Sequence, residues 1–134
     1  MRFTPEDGLA DTREWLEADG LGGFAMGTAT GVRTRRYHAV LLAAATPPTG
    51  RMALVQGVEA WLTAPSGNWP LTSHRYAPDV VYPDGARRIE SLESEPWPTW
   101  TYRLENGTRI RHELFVVRDL PLTVLTWRVL SGAG

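Results

Sequence analysis

Two alternating runs meet at Asn106-Gly107, and no other stretch constrains the fold as much. From Thr99 to Glu105, Trp100, Tyr102 and Leu104 fall on one side, and Thr101, Arg103 and Glu105 on the other. From Thr108 onward, Ile110, His112 and Leu114 alternate with Arg109, Arg111 and Glu113. Successive side chains of a strand point to opposite faces, so each run carries one apolar face. Asn-Gly is the strongest short hairpin signal. Together they predict an antiparallel hairpin. Asp119-Leu120-Pro121 breaks the second run, and Leu122 to Leu130 starts another strand rich in β-branched residues. Trp100 and Trp127, on these alternating strands, are expected in the core.

The rest of the chain fits the same class. Its 134 residues are cut into short pieces by 13 Gly and 10 Pro, a spacing that suits strands better than helices. Tyr37 to Ala44 reads as a central strand, ended by Thr46-Pro47-Pro48-Thr49-Gly50. Arg51 to Leu62 reads as the returning strand, with Pro65-Ser66-Gly67-Asn68 as its turn. Helix competes only at Asp11 to Ala18, with Asp11 as its cap. The expectation is an all-β, antiparallel β-sandwich with little helix. Residues 1–13 form an acidic lead-in, and residues 14–134 the domain. The chain stops at Ser131-Gly132-Ala133-Gly134, directly after a strong strand. An uncovered strand there exposes pairing groups and apolar surface. The sandwich is therefore expected to be truncated, or to complete itself by homo-oligomerising.

Composition removes several function classes. Net charge is −1 and the isoelectric point about 6.3, which argues against a nucleic-acid partner. There is no cysteine, so disulfides and thiolate metal sites are excluded, and a cytoplasmic location is compatible. The N-terminal stretch Met1 to Trp15 is charged and lacks the apolar core of a signal peptide. The longest apolar run, Ala39 to Ala45, is too short to span a bilayer, so no membrane partner is expected. His38, His74 and His112 sit in separate segments without close-spaced ligands, so no metal and no other cofactor is expected. No Gly-x-Ser-x-Gly occurs. The glycine cluster Asp19 to Gly27 has no preceding strand in this reading and no βαβ unit around it, so it is not a dinucleotide fingerprint. Glu90, Glu93 and Glu95 lie close in sequence, but loop and edge carboxylates are ordinarily solvated, and no catalytic pair is assigned.

Binding residues are better represented. Between Glu14 and His38, small residues and glycines (Gly20, Gly22, Gly23, Gly27, Gly31, Ala25, Ala29) run into Arg33, Arg35, Arg36, Tyr37 and His38. Gly22, Gly23 and Gly27 are read as structural, at tight turns or close approaches. On a strand, Arg35 and Tyr37 would point one way, Arg36 and His38 the other. Arg36 is assigned a structural role, in a salt bridge to a carboxylate such as Glu14 or Glu59. Arg35, Tyr37 and His38 are assigned to contact a substrate or a neighbouring domain. Six tryptophans are present, and indole faces pack against the C–H patches of sugars. Trp97, held between Pro96 and Pro98, is placed with the contact residues; packing and presentation are both open to it.

At these residues a family resemblance enters. Glu14-Trp15-Leu16, Asp19-Gly20-Leu21-Gly22-Gly23-Phe24, Gly27-Thr28 and Arg33-Thr34-Arg35-Arg36-Tyr37-His38-Ala39-Val40-Leu41-Leu42 resemble the N-terminal domain of bacterial and archaeal glycogen debranching enzymes, the amylo-α-1,6-glucosidase type. The likeness continues through Pro47 to Arg51 and from Tyr82 to Arg103. The chain departs from the pattern at Asp19 and Arg33, where Asn is usual, at Phe24 for Tyr, and at Ala39 for Gly. The resemblance implies a β-sandwich of the large type that precedes glucoamylase-like α/α toroids. It implies that the toroid carries the acid and base that hydrolyse α-1,6 branches in glycogen-type glucans. It also implies that this chain is a glucan-binding or scaffold part, inactive by itself, with no catalytic residue. A stand-alone carbohydrate-binding or protein-interaction module is the alternative reading.

Overall fold

The computed structural model describes residues 2–3, 13–76, 80–82 and 84–132. Thirteen strands follow in order: β1 (Arg2–Phe3), β2 (Glu14–Ala18), β3 (Phe24–Thr28), β4 (Ala39–Thr46), β5 (Thr49–Val55), β6 (Trp61–Ala64), β7 (Gly67–Pro70), β8 (His74–Tyr76), β9 (Val80–Tyr82), β10 (Ile89–Glu93), β11 (Thr99–Arg103), β12 (Arg109–Val116) and β13 (Thr123–Ser131). A short 3-10 helix, Gly85–Arg88, leads into β10. There is no α-helix among the described residues. The expected lead-in from residue 4 to 12, with the helix cap at Asp11, lies outside the described residues. Glu14–Ala18, the other half of that competing helix, is a strand.

Two antiparallel sheets form the sandwich. One has the order β1-β10-β11-β12-β13, the other β2-β3-β4-β5; β6-β7 and β8-β9 are separate hairpins. The predicted all-β antiparallel sandwich is therefore the fold. The alternation around Asn106-Gly107 works as read: Trp100, Tyr102, Leu104, Ile110 and Leu114 are all buried, and they meet Ala25 and Ala29 of the other layer in one core. The indole N–H of Trp100 donates to the Ala29 carbonyl at 2.8 Å and ties the layers together. Losing that ring would cost about 3–5 kcal/mol.

Some elements differ from the sequence reading. The β11–β12 loop spans Glu105, Asn106 and Gly107: the Gly107 N–H donates to the Leu104 carbonyl at 3.0 Å and the Leu104 N–H to the Thr108 carbonyl at 2.9 Å. Only Gly107 has positive φ there, +88°. The Asn-Gly pair thus makes a three-residue loop with a left-handed glycine rather than a two-residue turn. β10 escapes the alternation rule because a bulge shifts its register between Ile89, which pairs with Tyr102, and Ser91, which pairs with Thr101, and Ile89, Ser91 and Leu92 are all buried. The returning strand after β4 ends at Val55, and a loop precedes β6. Trp127, expected in the core, is 41% exposed, because it stands on β13, the outermost strand of its sheet. The facing layer does not cover it.

β5 is exposed along its whole length, and Met52, Leu54, Val129 and Leu130 on β5 and β13 keep large apolar side chains in the open. Each is an edge strand of its own sheet, and Leu125 and Trp127 of β13 border a crevice between the layers.

Candidate functional site

The glycine cluster is a hairpin turn. β2 does precede it, contrary to the sequence reading, but β3 follows antiparallel, so no dinucleotide unit is formed. Asp19, 2% exposed, organises the turn: its Oδ1 accepts from the Leu21 N–H at 2.7 Å and the Gly23 N–H at 3.0 Å. Such local side-chain-to-backbone bonds are what Asp supplies in turns. Gly23 packs so closely that a Cβ would stand 2.4 Å from Asp19 Oδ2 and 2.6 Å from the Leu42 carbonyl oxygen. Gly22 combines φ +96° with the Pro48 carbonyl at 2.5 Å from a virtual Cβ. Gly27 faces Trp15 across the ladder, and the indole lies over it, 2.9 Å from where a Cβ would be. The Trp15 ring needs that bare backbone to lie flat and donate to the Thr28 carbonyl at 3.2 Å.

The arginine-rich segment is a turn ahead of β4, which starts at Ala39. The side-by-side alternation expected of a strand therefore does not hold. His38 is its anchor, with 1% exposure. Its Nδ1 accepts the backbone N–H groups of Thr34 and Arg35 at 3.0 and 3.1 Å. A nitrogen that accepts twice carries no proton, so the neutral ring holds its hydrogen on Nε2. That hydrogen points to Glu14 Oε1 at 3.2 Å. Burial pushes the imidazole's proton affinity below its ordinary value, with Arg35 and Arg33 adding in the same direction against the pull of Glu14. Arg33 closes the loop from the other side, its Nε donating to the His38 carbonyl at 2.8 Å.

The same Glu14 oxygen accepts from Arg35 Nε. Arg35 thus makes the carboxylate bridge that the sequence reading gave to Arg36, while its side chain stays 66% exposed. Arg36 points outward and lies over the Tyr37 ring, 5.9 Å from the centroid. Tyr37 is 53% exposed. The structure brings Arg35, Arg36 and Tyr37 together on one surface turn and places His38 beneath them, out of reach of an outside ligand.

Trp97 is elsewhere, at the turn between β10 and β11. It is half-buried and tilts onto Phe115 with ring centroids 5.3 Å apart. Its indole N–H donates to Glu113 Oε2 at 2.8 Å, so it folds against its own sheet and remains only partly open. At the nearby strand end, Glu17 is held above the usual carboxylate range by burial and then by Glu95. Glu90 of the sequence triplet is paired with Arg109 at 2.6 Å, and Glu93 and Glu95 are exposed.

Sequence reasoning missed two features. One is the Glu14–His38 lock, whose partners lie 24 positions apart and share no local pattern. The other is a cross-strand row of rings, Trp100, His112 and Trp127, which becomes visible only once the β11–β12–β13 register is known.

No curated protein and no solved structure matches this chain. A family model described as the glycogen debranching enzyme N terminal matches residues 13–134. That span holds the Asp19 hairpin, the His38-anchored turn and every strand of both sheets but β1, and with it the chain belongs to the glycogen debranching enzyme N-terminal domain family.

Proposed function

We propose that this chain is a non-catalytic glucan-binding and scaffold domain of an enzyme that hydrolyses α-1,6-glucosidic branches in glycogen-type glucans. One observation carries the reading: the turn from Arg33 to His38 holds Arg35, Arg36 and Tyr37 open to solvent on a rigid, buried anchor. Hydroxyl recognition needs donors fixed before the ligand arrives, and rings that accept its C–H face. Arg35 and Arg36 offer the donors and Tyr37 the ring. His38 serves as the positioning residue, and Trp97 offers a second, half-open indole.

In this reading the chain is inactive by itself, and three of its glutamates are already held by side chains. Glu14, Glu90 and Glu113 each accept from a side chain: from Arg35 and His38, from Arg109, and from Trp97. An acid–base couple needs carboxylates free to reach a glycosidic oxygen and a water or anomeric carbon. Catalysis in this reading belongs to an α/α toroid in the same enzyme. The exposed apolar side chains on the edge strands β5 and β13 give the sandwich surfaces for docking that toroid or a second copy. Among the described residues no helix is long and apolar enough to cross a membrane. The cytoplasm, where glycogen-type stores are degraded, is the compartment this reading implies.

The test is kinetic. In the enzyme that carries this domain, Tyr37→Ala is expected to raise KM for limit dextrin about three- to tenfold, the worth of one ring contact, with kcat retained. An unchanged KM would remove the turn from glucan recognition.

A further inference from the structure

The row of rings leads from the core to an open edge. Trp100 on β11 stands opposite His112 on β12, and His112 opposite Trp127 on β13. The rings stack in sequence, with centroids 5.0 Å apart and 20° between planes, then 4.4 Å and 7°. Trp15 closes the inner end edge-on to Trp100 at 5.7 Å and 83°. The inner rings are buried or half-buried, so the plane of the outermost indole is set by a stack it cannot leave without losing contact. Trp127 presents what remains of its surface at the sheet edge.

Polar groups flank this platform. His112 Nδ1 lies 2.9 Å from the Thr126 carbonyl oxygen. A carbonyl can only accept, so Nδ1 carries the hydrogen, and Nε2 of the neutral ring is an acceptor. Beside the row runs the crevice between the sheets, about 100 Å³ in volume, bordered by His112, Trp127, Thr30, Arg33 and Gln56. Arg33 Nη1 donates to Gln56 Oε1 at 3.1 Å in an exposed pair. A flat apolar face of fixed orientation, on the same crevice as a guanidinium, an amide and an imidazole, matches the demands of a pyranose ring. Its C–H face packs on indole while its hydroxyls find donors and acceptors. The ring would rest on Trp127, with a hydroxyl or hydroxymethyl group turned into the crevice.

We propose that Trp127, with Gln56 and Arg33, forms a second carbohydrate subsite that takes one pyranose unit of an α-glucan. It takes its ligand class from the glucan reading above but uses none of the Arg35–Tyr37 turn. An apolar strand laid along β13 is the competing occupant. It would cover Gln56, Arg33 and the imidazole acceptor without supplying hydrogen-bond partners, at a desolvation cost that a sugar avoids.

The experiment is calorimetric titration of the 134-residue chain with maltotriose, with tryptophan fluorescence read in parallel. Wild type, Trp127→Ala, Trp127→Phe, Gln56→Ala and Tyr37→Ala are compared, and each fold is checked by circular dichroism. The subsite predicts that Trp127→Ala weakens binding about tenfold, the loss of one stacking platform. Gln56→Ala is expected to weaken it by less, and Trp127→Phe to retain most of it. The fluorescence change should survive Tyr37→Ala. Gln56 stands on an exposed loop, so its variant decides the matter even where Trp127→Ala disturbs the edge strand. Wild-type affinity in both Trp127→Ala and Gln56→Ala, with loss in Tyr37→Ala, overturns the subsite and leaves the glucan reading standing. No binding by any form overturns both. A chain whose self-association, but not its sugar binding, depends on Trp127 assigns the face to a protein partner and also overturns the subsite.

Discussion

At the residue scale the central actor is His38. Both of its ring nitrogens are engaged, and its role is to fix a turn, because a group 1% exposed cannot touch an outside ligand. Removing it leaves the Thr34 and Arg35 amides without their acceptor, and His38→Ala should cost about 1–3 kcal/mol in urea unfolding. The same geometry has a pH signature. Burial lowers the folded-state proton affinity of His38 and of His112 below the ordinary value near 6.5. The unfolded chain therefore takes up these protons first. Their contribution to stability is complete above about pH 6.5 and is lost as pH falls through that value toward the folded-state values. Urea midpoints measured between pH 8 and pH 5 should decline, and His38→Ala should flatten the decline. A glycine gives the second residue-level test. Gly23→Ala drives a methyl into Asp19 and the Leu42 carbonyl, and overpacking of this kind costs about 1–3 kcal/mol. Thermal denaturation should register it, and an unchanged Tm would mean the hairpin turn is looser than its contacts imply.

At the element scale, periodicity was legible where a strand is regular and one face is buried. β11 and β12 satisfy both conditions, and their residues could be assigned to faces from the sequence. β10 could not be read this way, since its bulge shifts the register between Ile89 and Ser91. The Arg33–His38 turn was concealed for another reason. It runs without a break into the apolar strand Ala39–Thr46, and its turn geometry comes from a histidine accepting backbone N–H groups, for which no composition signal exists. The Asp19 hairpin was half legible: the glycines marked tight backbone, but the buried carboxylate that organises them was not identified. Trp127 shows the limit of face assignment, because alternation gives the side of a sheet and says nothing of whether the other layer reaches it. The hairpin itself makes a direct prediction. Gly107 sits at φ +88°, and Gly107→Ala should cost roughly 1–2 kcal/mol, the penalty of a Cβ in the left-handed region. Ala at Asn106, where φ is not positive, should cost less, mainly the bond from the Thr108 N–H to its side chain at 2.9 Å. Urea titrations of the two variants would separate them.

At the scale of the whole molecule, two sheets are locked through Trp100 and leave one side open. The buried core accounts for the fold, and the polar turn at Arg33–His38 is the surface proposed for recognition. Between them stands the Glu14 carboxylate, which belongs to β2 and reaches both His38 and Arg35. Glu14 to His38 is thus one structural unit: one end supplies the acceptor, the middle makes the hairpin that carries it, and the other end is the turn it holds. In the proposed function this turn is a prepared glucan-facing surface. The most direct measurement is a two-dimensional amide NMR titration of the chain with maltoheptaose. Saturable shifts are expected in the amides of Thr34 to Tyr37, with those of the buried strand β11 unmoved and no glucose released. Saturable shifts that leave Thr34 to Tyr37 untouched, or glucose appearing in the sample, would contradict that reading.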